Sequence, residues 1–301
     1  MSFSSTIKNE LSRIDDIPQC CYHAQVYGLV LFAHFSPNNF SIKTENRDVF
    51  NLYSDCVTNY LGCKLTTCDN SSKIIKASVD DKEDIKKAFD KFGHSITETS
   101  VRINHANFQN DCCISSFLRG VFLSCGYISE PENGYHLEFV VPYKKLCMDL
   151  IRVLNELELN PKYILRKGYH VVYFKDSENI EDLLTYIGAQ NAALYLINVK
   201  IEKDVINNVN RRLNFEVYNI GKTSLAADNQ VKAIQYIAEN AGLLVLPEEL
   251  RNVAQLRLDN PEASLSQLCE LSEEKLSRSG MKHRLDKIMS LYEDMSSKAE
   301  K

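Results

Sequence analysis

The sequence predicts an α+β fold. An αββαββα unit is made twice over residues 1–219, a linker helix covers 220–243, and an all-α domain covers 244–301. Three observations carry this. Two stretches 92 residues apart, "CCYHAQVYGLVLFAH" from Cys20 and "CCISSFLRGVFLSCG" from Cys112, each place a glycine seven residues past a double cysteine, inside an apolar run. The helix and strand patterns that follow each stretch come in the same order. Past residue 220 the strand patterns stop, and apolar residues recur only at the three-four spacing of helices.

Composition limits the functions available. A chain of 301 residues, 44% hydrophobic and 25% charged, suffices for two folded domains. Its formal net charge of -5 excludes a globally basic binder, so a nucleic-acid site must be a local patch. The polar start "MSFSSTIKNELSRI" has no apolar signal core, and no apolar run approaches the ~20 residues of a membrane helix. A cytoplasmic protein with no membrane contact is expected. In that compartment the ten cysteines are reduced thiols. There is no Cys-x-x-Cys pair; Cys56, Cys63 and Cys68 have six and four residues between them, looser than zinc knuckles. The cysteines are read as small buried apolar residues, and no metal or cofactor is predicted.

In the first copy, about residues 20–93, the Gly28 helix is followed by the turn "SPNN" and the strand "FSIKT". Val49, Leu52, Tyr53, Cys56, Val57 and Tyr60 then mark a helix, and "CKLTTCDNSSKIIKASV" a hairpin centred on Asp-Asn-Ser-Ser. "DDKEDIKKAFDKFG" begins as an acidic helix start and stops at Gly93. The second copy, about residues 112–188, repeats the order. "SEPENG" precedes the strand "YHLEFVV". Leu146, Leu150, Val153, Leu154 and Leu157 mark the helix, "KYILRKGYHVVYFK" turns at Arg-Lys-Gly, and "DSENIEDLLTYIG" closes at Gly188. Val26 aligns with Leu118, Gly28 with Gly120 and Leu31 with Leu123. A pseudo-twofold axis would pack the two first helices together, with Gly28 and Gly120 allowing close backbone approach.

The C-terminal elements follow helix rules. A helix is expected from Ser224 to Ala241, with Val231, Ile234, Tyr236, Ile237 and Ala241 on its apolar side and Gly242 as its stop. Pro247 opens the next, with Leu250, Val253, Ala254 and Leu258 buried, and Asn260-Pro261 ends it. Ser264 and Gln267 form a capping box before Leu265, Leu268 and Leu271. Ser277 caps the last long helix, whose stripe is Met281, Leu285, Ile288 and Tyr292. Its other face carries Arg278, Ser279, Lys282, His283, Arg284 and Lys287. From Lys275 to Lys287 five Lys/Arg stand against one Asp. A charged stretch is ordinarily a solvated helix face, but helix-turn-helix spacing and this contrast in an acidic chain point to DNA. Arg278 and Lys282 have the reach for guanine acceptors, Ser279 and His283 for bases or phosphates, and Arg284 and Lys287 for phosphates.

The duplicated unit with its glycine-bearing helix pair resembles the LAGLIDADG homing-endonuclease fold. That resemblance implies a four-stranded saddle in each half. It also implies an acidic metal ligand at the eighth place of "VYGLVLFAH" and "LRGVFLSCG", where this chain has Ala33 and Cys125. Neither suits a hard cation, so the resemblance implies the scaffold without the nuclease. More narrowly, "FLRGVFLSCG", "YHLEFVV", "VVYFKDSENIEDLLTYIGAQNAAL", "NRRLNFEVYNIGKTSLAADNQ", "LPEELRNVAQLRLDNPEASLSQL" and "LSRSGMKHRLDKI" make the chain similar to the WhiA family, over nearly its whole length. This implies a degenerate LAGLIDADG domain joined to a helix-turn-helix, in a bacterial transcription regulator that binds double-stranded DNA and supports sporulation or cell division and chromosome segregation. A WhiB-like or RNA polymerase-associated regulator is the implied class of protein partner.

Other motifs carry less. Asn210, Arg211 and Arg212 suit either a phosphate contact or a cap between domains. "NIGKTS" lacks the earlier glycine of a phosphate loop, Glu216 standing there. His136 and Glu138 alternate on a strand face with no third ligand nearby. Lys43, Arg166, Lys167 and His170 would sit on the saddle, with Asp69, Asp80 and Asp81 near enough in sequence to repel phosphate. The C-terminal helix is therefore the main expected DNA site. Two other readings stand beside a non-enzymatic regulator: a metal-dependent DNA endonuclease with displaced acids, and a protein-interaction scaffold.

Overall fold

A computed structural model describes residues 2–68, 73–98 and 100–299. The chain divides into two compact units, one up to Lys203 and one from Asp204. Among the described residues no helix is long and apolar enough to cross a membrane.

The first unit contains the duplication. Copy one runs α2 (Gln19–Phe32), β1 (His34–Phe35), β2 (Phe40–Thr44), α3 (Arg47–Asp55), β3 (Thr66–Cys68), β4 (Ile75–Val79) and α4 (Lys82–Lys91), after a short α1 (Phe3–Ser12). Copy two runs α5 (Cys112–Cys125), β5 (Gly126–Ile128), β6 (Leu137–Val141), α6 (Lys144–Glu156), β7 (Lys162–Arg166), β8 (Tyr169–Phe174) and α7 (Ser177–Ile187). The two antiparallel sheets share one topology, β1-β2-β4-β3 and β5-β6-β8-β7. The expected unit is thus present twice. The turn expected at Asp69–Ser72 lies outside the described residues.

Local chemistry accounts for the element ends. Asn46 caps α3 by accepting from the Val49 N–H at 3.0 Å. Asp81 caps α4 through the Glu83 and Asp84 N–H groups, and Asp176 caps α7 through that of Asn179. Gly93 and Gly188 have φ +65° and +96°, the left-handed conformation that ends a helix without a Cβ clash. Lys167 and Gly168 both have positive φ between paired Arg166 and Tyr169, a two-residue hairpin loop whose twist matches its strands. One element has no counterpart in the sequence reading. α1 buries Phe3, Ile7 and Leu11, a four-residue spacing within a mostly polar stretch.

The center of the unit is the α2–α5 pair. A Cβ on Gly28 would lie 2.3 Å from the Phe117 carbonyl oxygen. One on Gly120 would lie 2.1 Å from that of Gln25 and 2.7 Å from the Leu29 nitrogen. The helices therefore meet backbone to backbone. Beside this crossing Arg119 is buried, donating to the Ile187 carbonyl at 2.7 Å and to Gln25 Oε1 at 3.1 Å. Burial lowers its pKa. The end of α7, where carbonyls carry partial negative charge, offsets the loss of water.

The segment between the copies is pinned to both. Tyr27, on α2, accepts from the Asn104 N–H at 2.7 Å. Asp149, on α6, receives Arg102 at 3.0 and 2.6 Å and the Ile103 N–H at 3.3 Å. Burial works against the Asp149 charge, but these donors hold its carboxyl below the usual range.

Two outcomes follow. Gly28→Ala or Gly120→Ala should lower unfolding free energy by about 3 kcal/mol, the upper range for overpacking, because only backbone is there to yield; urea titration measures this. Asp149→Asn should cost about 1–3 kcal/mol at neutral pH by leaving buried donors poorly paired. A depressed folded pKa gives stability that is present above the unfolded value near 3.8 and lost as pH falls through the folded value. The gap between wild type and variant should therefore close in acid.

Candidate nucleic-acid interface

The second unit is built on the end of α8 (Gln190–Asn240), with α9 (Glu248–Asp259), α10 (Leu265–Leu271) and α11 (Arg278–Ala299). α8 is one continuous helix that starts well before the expected Ser224, so the expected boundary at 219/220 falls inside it. Gly221 is therefore an ordinary helical residue and no phosphate loop forms. Arg212 pairs with Glu216 at 3.2 Å along the same helix.

Ile234, Ile237, Leu246, Leu250, Val253, Ala254, Leu268, Met281, Leu285 and Ile288 form the core of this unit. The capping box at Ser264 is present, its hydroxyl 3.4 Å from the Gln267 N–H and its own N–H 2.8 Å from Gln267 Oε1. Ser277 caps α11 through the Gly280 N–H at 3.1 Å. Arg257 carries no signal of its role in the sequence. It is 2% exposed, and its guanidinium donates to the Ala263 carbonyl at 2.5 Å, fixing the α9–α10 loop. Burial lowers its pKa.

α10, the turn at 272–277 and α11 make the helix-turn-helix. At about 100° per residue, Ser279 and His283 lie opposite the Met281–Leu285–Ile288 stripe. Arg278 and Lys282 flank one side, Arg284 and Lys287 the other. Arg278, Ser279, Lys282, His283 and Lys287 are exposed. Arg284 is 18% exposed and lies 2.5 Å from Glu274 and 3.6 Å from Glu249. Its charge is spent tying α11 to the turn and to α9, and the first three turns of α11 otherwise expose Arg278, Lys282 and Lys287 against one acid, Asp286. His283 and Lys287 also border a cavity of about 530 Å³ with Leu246, Leu250 and Met295.

The first unit offers a weaker surface. Lys43 is exposed, but Arg166 reaches Glu138 at 2.7 Å and His170 meets the Tyr163 hydroxyl at 2.8 Å. His136 binds Glu138 at 3.0 Å, so the His136–Glu138 pair belongs to this ion network. Burial opposes the Glu138 charge, while Arg166 and His136 hold its pKa down. Asp81 is occupied as a helix cap and Asp80 accepts from the Ser78 hydroxyl. Asp69 lies outside the described residues.

Ala33 and Cys125, at the C-terminal ends of α2 and α5, line one cavity of about 510 Å³ with His34, Asn39, Ser41 and Lys43. No carboxylate is among its lining residues. Burial pushes the Cys125 thiol up to about 12, so it is uncharged near neutrality. Nearby Lys8 is lowered to about 8 by burial, against the pull of Cys125. This pocket lacks the anionic oxygens that hold catalytic divalent ions.

Comparison with known proteins agrees with both units. The family described as WhiA LAGLIDADG-like domain matches residues 114–206, and that described as WhiA C-terminal HTH domain matches residues 209–292. The "Probable cell division protein WhiA" of Alkaliphilus metalliredigens is 35% identical, covering 96% of each chain. That of Ruminiclostridium cellulolyticum is 37% identical, covering 97% of each. The crystal structure of full-length DUF199/WhiA from Thermotoga maritima superposes with a TM-score of 0.60 at 26% identity, over 98% of this chain and 99% of that one.

The ion pairs of Arg284 predict a split between stability and binding. Arg284→Gln should cost about 1 kcal/mol of unfolding free energy, as half-exposed pairs do, and change the salt dependence of DNA affinity little. Thermal denaturation and a salt series on the same variant measure both.

Proposed function

The chain belongs to the WhiA family, and from that premise we propose that it is a sequence-specific DNA-binding transcription regulator supporting cell division, chromosome segregation or sporulation, without nuclease activity. One observation carries the reading: the exposed cations at the start of α11, on the face away from its core stripe. A recognition helix presents this part to the major groove. Arg278 and Lys282 suit guanine edges, Ser279 and His283 bases or phosphates, and Lys287 a phosphate farther along. Arg284 acts by holding the helix in place. The names of the curated relatives support the cell-division role. The cavity without carboxylates at Ala33 and Cys125 supports the absence of cleavage. A WhiB-like or RNA polymerase-associated regulator is the class of protein partner we propose, with the nucleoid as the proposed site of action.

The test is a mobility-shift titration at fixed salt on sites recovered by genome-wide mapping of bound DNA. The double variant Arg278→Glu/Lys282→Glu should abolish specific binding and keep its circular dichroism. Wild-type affinity should fall with salt at a log-log slope of roughly −3 to −4 per chain, for about four phosphate contacts. Unchanged binding by the variant refutes the assignment of α11. Magnesium- or manganese-dependent plasmid cleavage refutes the non-nuclease reading.

A further inference from the structure

The doubled cysteines of the two copies converge. Cys20 and Cys21 open α2, Cys112 and Cys113 open α5, and all four sulfur atoms lie within 4.8 Å of one another. Cys21 Sγ stands 3.4 Å from Cys112 Sγ. Neither copy carries the spacing of a metal motif, because each supplies only two adjacent thiols. The pseudo-twofold packing that brings Gly28 against α5 and Gly120 against α2 sets the two pairs face to face.

We propose that Cys20, Cys21, Cys112 and Cys113 form a four-thiolate site for one zinc ion, which clamps the two copies together. Size argues for a single ion. With Zn–S near 2.3 Å, the sulfurs of a tetrahedral site stand about 3.8 Å apart, and the observed spacing needs only small rotamer shifts to reach this. An iron-sulfur cluster, with inorganic sulfide and several irons at its center, holds its thiolates farther apart. Softness argues for zinc over magnesium or calcium, which take oxygen ligands. Binding converts four thiols to thiolates: Zn²⁺ and four S–H give a tetrathiolate of charge −2 and release four protons to solvent. No electron moves. The starts of α2 and α5 supply partial positive charge there, and the Asn110 amide donates to Cys20 Sγ at 3.7 Å. Cys21 and Cys113 are buried while Cys112 is exposed, which gives the ion both a dry inner wall and an entry path. The site lies at the opposite end of α2 and α5 from Ala33 and Cys125, roughly 20 Å away along 14-residue helices. It is therefore separate from the degenerate nuclease pocket.

The test uses the full chain, reduced, stripped with a chelator and kept anaerobic, then titrated with cobalt(II) as a spectroscopic probe. One cobalt per chain is expected, with sulfur-to-metal charge-transfer and visible bands of a tetrahedral four-thiolate complex, displaced by zinc. Cys112→Ser, at an exposed position, should fold and lose more than about 100-fold in cobalt affinity, since loss of even an outer-shell partner costs 10–100-fold. Cys269→Ser, in the second unit, should bind like wild type. Zinc should also raise the melting temperature of the wild type and not that of Cys112→Ser. The proposal is overturned by no stoichiometric tetrathiolate spectrum, by unchanged affinity in Cys112→Ser, or by a chain that binds no metal and, once oxidised glutathione is added, forms a Cys21–Cys112 disulfide.

Discussion

The backbone contact between α2 and α5 is the constraint on which the first unit depends. Two helices cross where Gly28 faces the Phe117 carbonyl and Gly120 faces that of Gln25, with no room for a methyl group. Such an approach is reciprocal: each glycine makes space for the other helix, so the contact is also the pseudo-twofold axis. The helix pair, the sheets and the closing helices about that axis come in pairs. The two sheets follow the helix ends with the same strand order, and α4 and α7 close the copies with the same cap chemistry.

The axis also sorts the chemistry along the helix pair. At the C-terminal ends a pocket holds Ala33 and an uncharged Cys125. At the N-terminal ends the paired cysteines meet. Midway, Arg119 is buried with no acidic partner among the described residues, balanced by a helix-terminal carbonyl and an amide oxygen. The unit has the geometry of a two-copy scaffold, and the pocket at Ala33 and Cys125 has no carboxylate among its lining residues.

The second unit solves a different problem, holding a cationic helix rigid in an acidic chain. Ser277 and the Met281–Leu285–Ile288 stripe fix the start and the roll of α11. Arg284 fixes it to the turn and to α9. Arg257 spends a fully buried charge on the α9–α10 loop. Of six basic-face residues, five remain exposed, so the cost of orientation falls on one cation.

Much of this was legible in sequence because it rests on local rules. The repeat, the acidic helix starts, the glycine stops and the Ser264 box are each written within a few residues, and the 92-residue offset needs only comparison along the chain. Three features were not legible. α1 hides its three apolar residues in a polar stretch. Arg257 reads as a surface cation because a lone buried charge has no sequence signature. Arg284 reads as a phosphate ligand because its acidic partners, Glu249 and Glu274, are chosen by helix packing. The doubled cysteines show the division most plainly. Sequence determined that they recur at matched helix starts, since that is a matter of spacing. Only the tertiary structure decided that the four sulfurs share one small volume, because it took the packing of two glycines against opposing backbones to bring residues 92 apart within a bond's reach of a common center.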